Sequence, residues 1–295
     1  MNLIDALAIT FSETVKRHPD RSAIVFPERT FTYENLWQLS TAFALRMRAS
    51  GVSENSTVHV NSADLAITLP AILATSLIGA KFLQNVGDIS QDGIPAVTHN
   101  FTVGGVGSDS DSIRIDETWS PVETTEDLGV WSSDTNPDIS APWMLVFTSG
   151  TTGQPKFVAL SQQVVVKRCL AVAHEFEQQN TRIVSGYPYD SRPFFARALA
   201  ALLAGATIVD EINPSRWADL DITRVYIPAA KATAVLESLP HGVKFDAIEI
   251  AGSAVSKETI ASLLEHFLLV DDTYGATETS KSYSNIWVSN KDGSV

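Results

Sequence analysis

A chain of 295 residues, 44% hydrophobic and 19% charged, can bury a full core as one large domain or two ordinary ones, which excludes a disordered or fibrous class. Its formal net charge of -13 argues against a general nucleic-acid binder, which needs a basic face, and against attachment to an anionic membrane surface. The single cysteine, Cys169, allows no disulfide within the chain and fits a reducing, cytoplasmic setting; the valines at 164, 165 and 166 before it point to a buried structural thiol.

No basic segment followed by an apolar stretch opens the chain, so no signal peptide is visible. Leu3, Leu7, Phe11 and Val15 share one helical face, which predicts an amphipathic helix ending near His18 and Pro19. Residues 22–26 read as a strand. Thr32 is the expected N-cap of a helix over 33–50 that stops at Gly51. A strand at 57–60, a helix at 65–79 and a strand at 81–86 follow. The apolar run 65–83 is interrupted by Pro70 and Lys81 and holds Thr68, Thr75 and Ser76, so it reads as a buried helix and not a membrane span. Residues 108–138 carry nine acidic side chains against one basic, Arg114, and read as a solvated surface connection with one or two short strands.

Beyond that connection the alternation resumes. Helices are expected at 162–178, 194–204, 229–237 and 257–266, and strands at 182–186, 207–209, 224–227, 247–250 and 268–271. Strands and helices alternating in this way predict an α/β fold with largely parallel sheets. The expected organisation is a first αβ segment at 1–107, the acidic connection at 108–140, and a second αβ segment at 141–295. The six histidines show no metal-ligand spacing, so no zinc or iron site is expected.

The stretch LVFTSGTTGQPKFVALS, residues 145–161, has the composition of a phosphate loop. Read as strand, turn and helix, it would offer free backbone N–H groups and hydroxyl donors to an anion. Gly150 and Gly153 allow close backbone approach, and Lys156 supplies a charge. The order differs from a Walker loop, which places lysine directly after its second glycine, so a GTPase-like cradle is disfavoured.

TSGTTGQPK resembles the phosphate-loop signature of the acyl-adenylate-forming superfamily, which includes acyl-CoA synthetases, adenylation domains of peptide synthetases and luciferases. IEIAGSAVS at 248–256 resembles the strand and turn that flank adenine in that family, and DDTYGATE at 271–278 resembles its Tyr-Gly-x-Thr-Glu motif. FTYENLWQLS, ATSLIGAKFL and ALLAGATIV are weaker matches, so the likeness spans nearly the whole chain. One departure is Phe157, where the family has glycine, and one reading of it is a blocked loop.

The resemblance implies the large N-terminal domain of the adenylate-forming fold, with two stacked αβ subdomains and mostly parallel sheets. It implies ATP-dependent activation of a small-molecule carboxylic acid as acyl-AMP, with release of pyrophosphate. Transfer to CoA or to the phosphopantetheine thiol of a carrier protein would follow. Thr148, Ser149, Gly150, Thr151, Thr152, Gly153 and Lys156 would hold the β and γ phosphates. Thr277 would meet the α-phosphate and Glu278 would bind Mg²⁺; with Lys156 these are the expected catalytic residues. Gly252, Ser253 and Ala254 would run along the adenine edge, Asp272 would accept from its amino group, Tyr274 would stack on it, and Gly275 would let the chain turn.

The family's acyl pocket falls near SGYPYDSRPFFARALAALLAGA. Tyr189, Asp190 and Arg192 are therefore candidate substrate residues. Tyr189-Asp190-Ser191 resembles a motif whose aspartate meets an amino group, but Asp190 could equally cap the next helix. Arg192 and Arg197 could attract a second carboxylate, although exposure is the default for such charges. The family's β-rich subdomain and lysine-bearing C-terminal domain are not found, so a truncated ligase is expected. The alternatives are a non-catalytic nucleotide-binding or scaffolding module, or half of a two-chain ligase.

Overall fold

A computed structural model describes residues 6–83, 95–103, 112–116, 119, 137–148, 156–176, 180–276 and 279–289. Seven α-helices and fourteen strands are assigned among them. α1 spans Leu7–Arg17, and β1 (Ser22–Val25) and β2 (Thr30–Thr32) follow. α2 spans Tyr33–Ala49 and opens on the expected N-cap Thr32, which forms a capping box: its hydroxyl accepts from Asn35 N while the Asn35 side chain accepts from Thr32 N. β3 (Thr57–Asn61), α3 (Leu65–Ile78), β4 (Lys81–Leu83), β5 (His99–Val103) and β6 (Ser112–Ile115) complete the first part. α3 is apolar on nearly every side and correspondingly buried, Pro70 included.

β7 (Pro142–Thr148) pairs antiparallel with β8 (Lys156–Ser161). α4 (Gln162–Ala171), β9 (Arg182–Ser185), α5 (Arg192–Ala204), β10 (Thr207–Val209) and β11 (Arg224–Pro228) come next. The last elements are α6 (Ala232–Ser238), β12 (Phe245–Ala251), α7 (Lys257–His266), β13 (Phe267–Ala276) and β14 (Ser280–Val288). The helix expected over 162–178 ends at Ala171, and a 3₁₀ turn at Ala173–Phe176 follows it.

Two mostly parallel sheets carry these strands. The eight-stranded sheet runs β14-β13-β12-β11-β9-β10-β1-β2 and the six-stranded sheet runs β6-β5-β3-β4-β7-β8. One continuous core joins α1 to α5 with both sheets, and a second core lies under α6 and α7. Alternation along β11 divides its side chains between them, Tyr226 facing the first core and Val225 and Ile227 the second. Among the described residues, the acidic connection reaches the interior through Ile115 and Trp119. Trp119 is 5% exposed and packs edge-on against Phe43 and Phe101 at 5.0 and 5.5 Å.

Gln162 is a buried polar junction. Its Oε1 accepts from Leu7 N at 3.0 Å and Ser76 Oγ at 2.6 Å, and its Nε2 donates to Ser76 O at 3.2 Å. These bonds tie α4 to α1 and α3. Gln162→Leu is expected to destabilise the fold by about 1–3 kcal/mol, because Leu7 N–H loses its partner in a dry site. A urea titration that shows no change would mean that water reaches the junction.

Candidate functional site

The site is best built from the eight-stranded sheet. From β9 the chain runs through α5 to β10 on one side, whereas β11 lies on the other side of β9 and leads through α6 to β12. Connections thus diverge at β9, and open parallel sheets bind ligands in the crevice beyond the carboxyl ends of such strands. A cleft of about 210 Å³ lies there. Tyr187 beyond β9, Arg192 at the start of α5, Gly252 beyond β12 and Gly275 near the end of β13 all line it.

Two glycines are required by the backbone at this end of the sheet. Gly186 closes β9 so tightly that a Cβ would sit 2.9 Å from Ile227 Cγ2. Gly252 has φ +102°, a conformation that disfavours side chains, and it turns the chain away from β12 at the cleft.

Below the cleft, register aligns one row of side chains across the sheet. Ser185 pairs with Tyr226, Tyr226 with Glu249, and Glu249 with Asp271. This row faces α5. Arg197 reaches down from α5 and donates to Glu249, with Nε to Oε1 at 2.9 Å and Nη2 to both oxygens at 2.6 Å. Its guanidinium also lies 5.6 Å from the centre of the Tyr226 ring. Lys281 donates to Asp271, and lies 3.5 Å from both Glu249 and Glu175. Arg224 bridges Glu175 at 3.3 Å and donates from Nε to the Tyr226 hydroxyl at 3.2 Å. Three cations (Arg197, Arg224, Lys281) therefore meet three carboxylates (Glu175, Glu249, Asp271) in one neutral network.

Lys281 owes its place to a bulge. β13 and β14 pair Tyr274 with Tyr283 but Gly275 with Lys281, so Ser282 is an extra residue on β14. In regular alternation Lys281 would share the face of Tyr283; the bulge turns it to the face of Asp271.

The pKa shifts follow from burial and pairing. Burial opposes the charge on Arg197, and Glu249 overcomes it, so its pKa rises. Burial likewise opposes the charge on Lys281; Glu249, the Asp271 hydrogen bond and Glu175 outweigh it, and the pKa again rises. Burial raises Glu249 against the pull of Arg197 and Lys281. Burial also pushes the Cys169 thiol up to about 12, in keeping with a structural thiol.

The sequence-derived site residues distribute unevenly over this architecture. Gly252 and Gly275 line the cleft beside Arg192. Tyr274, 71% exposed, presents an open ring face beside Gly275, and Ser253 and Ala254 follow Gly252 as exposed residues. Asp272 is raised by burial and then by neighbouring Asp271, with the Asn285 hydrogen bond opposing. Tyr189 points elsewhere: its hydroxyl donates to Asp210 at 2.6 Å, and its ring packs on Phe194 at 5.0 Å. Ser191, not Asp190, caps α5, by accepting from Phe194 N. Ser149, Gly150, Thr151, Thr152, Gly153, Thr277 and Glu278 lie outside the described residues, as do the side chains of Thr148 and Lys156. Tyr187, Thr273, Glu249 and Lys281 line the cleft without having been singled out in the sequence.

The expected strand, turn and helix at the phosphate loop is corrected. Thr148 pairs with Lys156 across the β7–β8 hairpin, so a second strand, β8, comes between the loop and the helix, which starts at Gln162 as expected. Phe157 faces Phe147 in that register, ring centres 5.9 Å apart and edge-on. Phe157→Gly should thus remove a ring pair worth about 0.5–1.5 kcal/mol, and glycine weakens a strand further. ATP-analogue affinity is expected to fall in that variant; a gain on titration would mean that Phe157 does obstruct the loop.

Among the described residues no group of three or more His, Cys, Asp or Glu side chains could hold a metal ion, and no helix is long and apolar enough to cross a membrane.

Residues 94–294 match the model of the AMP-binding enzyme family, and the chain belongs to that family. It is 27% identical over 311 residues to tyrocidine synthase 2 of Brevibacillus parabrevis, covering 97% of this chain and 8% of that protein. It is also 27% identical to the 4-chlorobenzoate–CoA ligase of an Arthrobacter species, covering 91% of this chain and 58% of that enzyme. The chain thus spans less than two thirds of the length of either relative. Its fold is that of the N-terminal subdomain of Klebsiella oxytoca NpsA solved with 3-hydroxyanthranilyl-AMSN, with TM-score 0.78, 16% identity, and coverage of 97% of this chain and 77% of that one. VinN solved with L-aspartate is similar, with TM-score 0.75, 18% identity, and coverage of 93% and 80%.

Proposed function

We propose that this chain forms the acid- and nucleotide-binding part of an acid–thiol ligase, which joins a small carboxylic acid to AMP and then passes the acyl group to CoA or a carrier-protein pantetheine. The observation that carries this reading is the cleft beyond β9, β11, β12 and β13, where Gly252 and Gly275 of the adenine-flanking segments meet Arg192 of the acyl segment. One cleft then receives both reactants.

In the reaction a carboxylate oxygen bonds to the α-phosphorus of ATP, the bond from that phosphorus to the bridging oxygen breaks, and pyrophosphate leaves. No proton need move. Charge builds on the five-coordinate phosphorus and the leaving group, where fixed donors act most strongly. Thr148, Ser149, Thr151, Thr152 and Lys156 supply them to the β and γ phosphates, and Thr277 supplies one to the α-phosphate. Tyr274 and Asp272 hold the base. Mg²⁺ would sit on Glu278 and would offset the phosphate charge.

The test is thermal stabilisation by non-hydrolysable acyl-AMP mimics. A mimic at about a hundred times its dissociation constant should stabilise by roughly 2.7 kcal/mol. A folded chain that no mimic stabilises would sink the reading.

A further inference from the structure

We infer that the acid taken by this cleft carries a second carboxylate that docks on Arg192, so that the substrate is a compact dicarboxylic acid activated at one end. The inference rests on the adenylate-forming reading and names the substrate class of that site.

Three cations line the cleft: Arg192, Arg197 and Lys281. Arg197 is consumed by its bidentate pairing with Glu249, and Lys281 by Asp271, Glu249 and Glu175. The network beneath the cleft is neutral without Arg192. Among the described residues no carboxylate pairs with Arg192, and the cationic groups acting on it are Arg168 and Arg197. Burial first, and those two guanidinium groups after it, push its pKa down to about 10. A charge held in such a place is stabilised by an anion that comes with the ligand. A carboxylate suits it, because the planar guanidinium can offer two parallel N–H donors.

The rest of the cleft agrees. Its apolar wall includes Pro193, Ala196 and Ala251, which suit a short carbon chain. An ammonium group would need an uncommitted carboxylate there. Glu249 already accepts from Arg197 and faces Lys281, and Asp190 does not line the cleft. The location also explains why no described carboxylate pairs with Arg192. An unliganded functional site commonly holds such a charge at the expense of stability.

The experiment compares two sulfamoyl-adenosine mimics of equal chain length, pentanoyl and glutaryl, the second bearing a free terminal carboxylate. Dissociation constants are measured for the natural chain, Arg192→Gln and Arg192→Lys. The natural chain is expected to prefer the glutaryl mimic at least tenfold. Arg192→Gln should bring the two mimics within about twofold of each other, and Arg192→Lys should keep part of the preference. Ligand-free Arg192→Gln should melt no lower than the natural chain, since it removes a half-buried charge that no described carboxylate offsets. Equal affinity of the natural chain for both mimics would overturn the inference alone. So would an equal loss for both mimics in Arg192→Gln, which would place Arg192 on the part common to all acyl adenylates. Binding of neither mimic would overturn the adenylate reading and this inference with it.

Discussion

Arg197→Met is expected to lower the free energy of unfolding by about 3–5 kcal/mol, measured by urea titration at neutral pH. The Arg197 and Glu249 side chains are only 11% and 8% exposed, so neither charge has much water to fall back on. Removing the guanidinium strips Glu249 of three hydrogen bonds and leaves Lys281 at 3.5 Å as its remaining counter-charge. The size of the loss reflects the orphaned carboxylate more than the net worth of the pair. Arg197→Met with Glu249→Leu should therefore recover most of it, since a matched apolar pair leaves one fewer charge in the site. A single variant that loses less than about 1 kcal/mol would mean that solvent reaches Glu249, and the neutral network would have to be redrawn. The double variant has a second use. It keeps the fold while changing the cleft wall, and so separates an effect on ligand binding from an effect on folding.

Much of this architecture is legible in the chain because local signals agree with the tertiary result. Thr32 is a cap in sequence and in structure, and the 65–79 run is buried on all sides because it is apolar on all sides. The motif residues 248–251 and 271–276 do fall on adjacent parallel strands, with Ala251 beside Thr273. What escapes the sequence is register. Glu249, Asp271 and Tyr226 are far apart in the chain, and nothing local says that they form one row. Arg197 reads as an exposed charge until the row beneath α5 supplies its partner. The strand expected at 268–271 extends to Ala276, past the turn expected at Gly275, and β14 has no counterpart among the expected strands. The phosphate loop reads as a turn before the helix at 162, and β8 goes unread, since glycines and hydroxyls suit either a helix entry or a hairpin. Pairing of β7 with β8 decides for the hairpin. Ile115 and Trp119 reach the core from the acidic connection, and composition averaged over the segment hides them.

Lys281→Met should be nearly as damaging as Arg197→Met, about 3–5 kcal/mol at neutral pH, but with a distinctive pH signature. Lys281 is 20% exposed and serves three carboxylates. Its folded pKa lies above the ordinary value of 10.5, so its stabilisation is complete below that value and is lost as pH rises through the folded pKa. The gap between the natural chain and the variant should therefore narrow above about pH 10.5. It should narrow on the acid side as well, for the opposite reason. Burial already raises Glu249, and without Lys281 it is pushed further up. A carboxylate whose folded pKa is raised binds its proton more tightly in the folded state, so the variant gains stability as pH falls toward that range. Unfolding free energies at pH values of about 5, 7.5 and 11 should thus show a gap widest in the middle. A gap that does not change with pH would mean that the loss comes from packing of the lysine stem. That result would remove Lys281 from the electrostatic network and leave the Ser282 bulge with no electrostatic purpose.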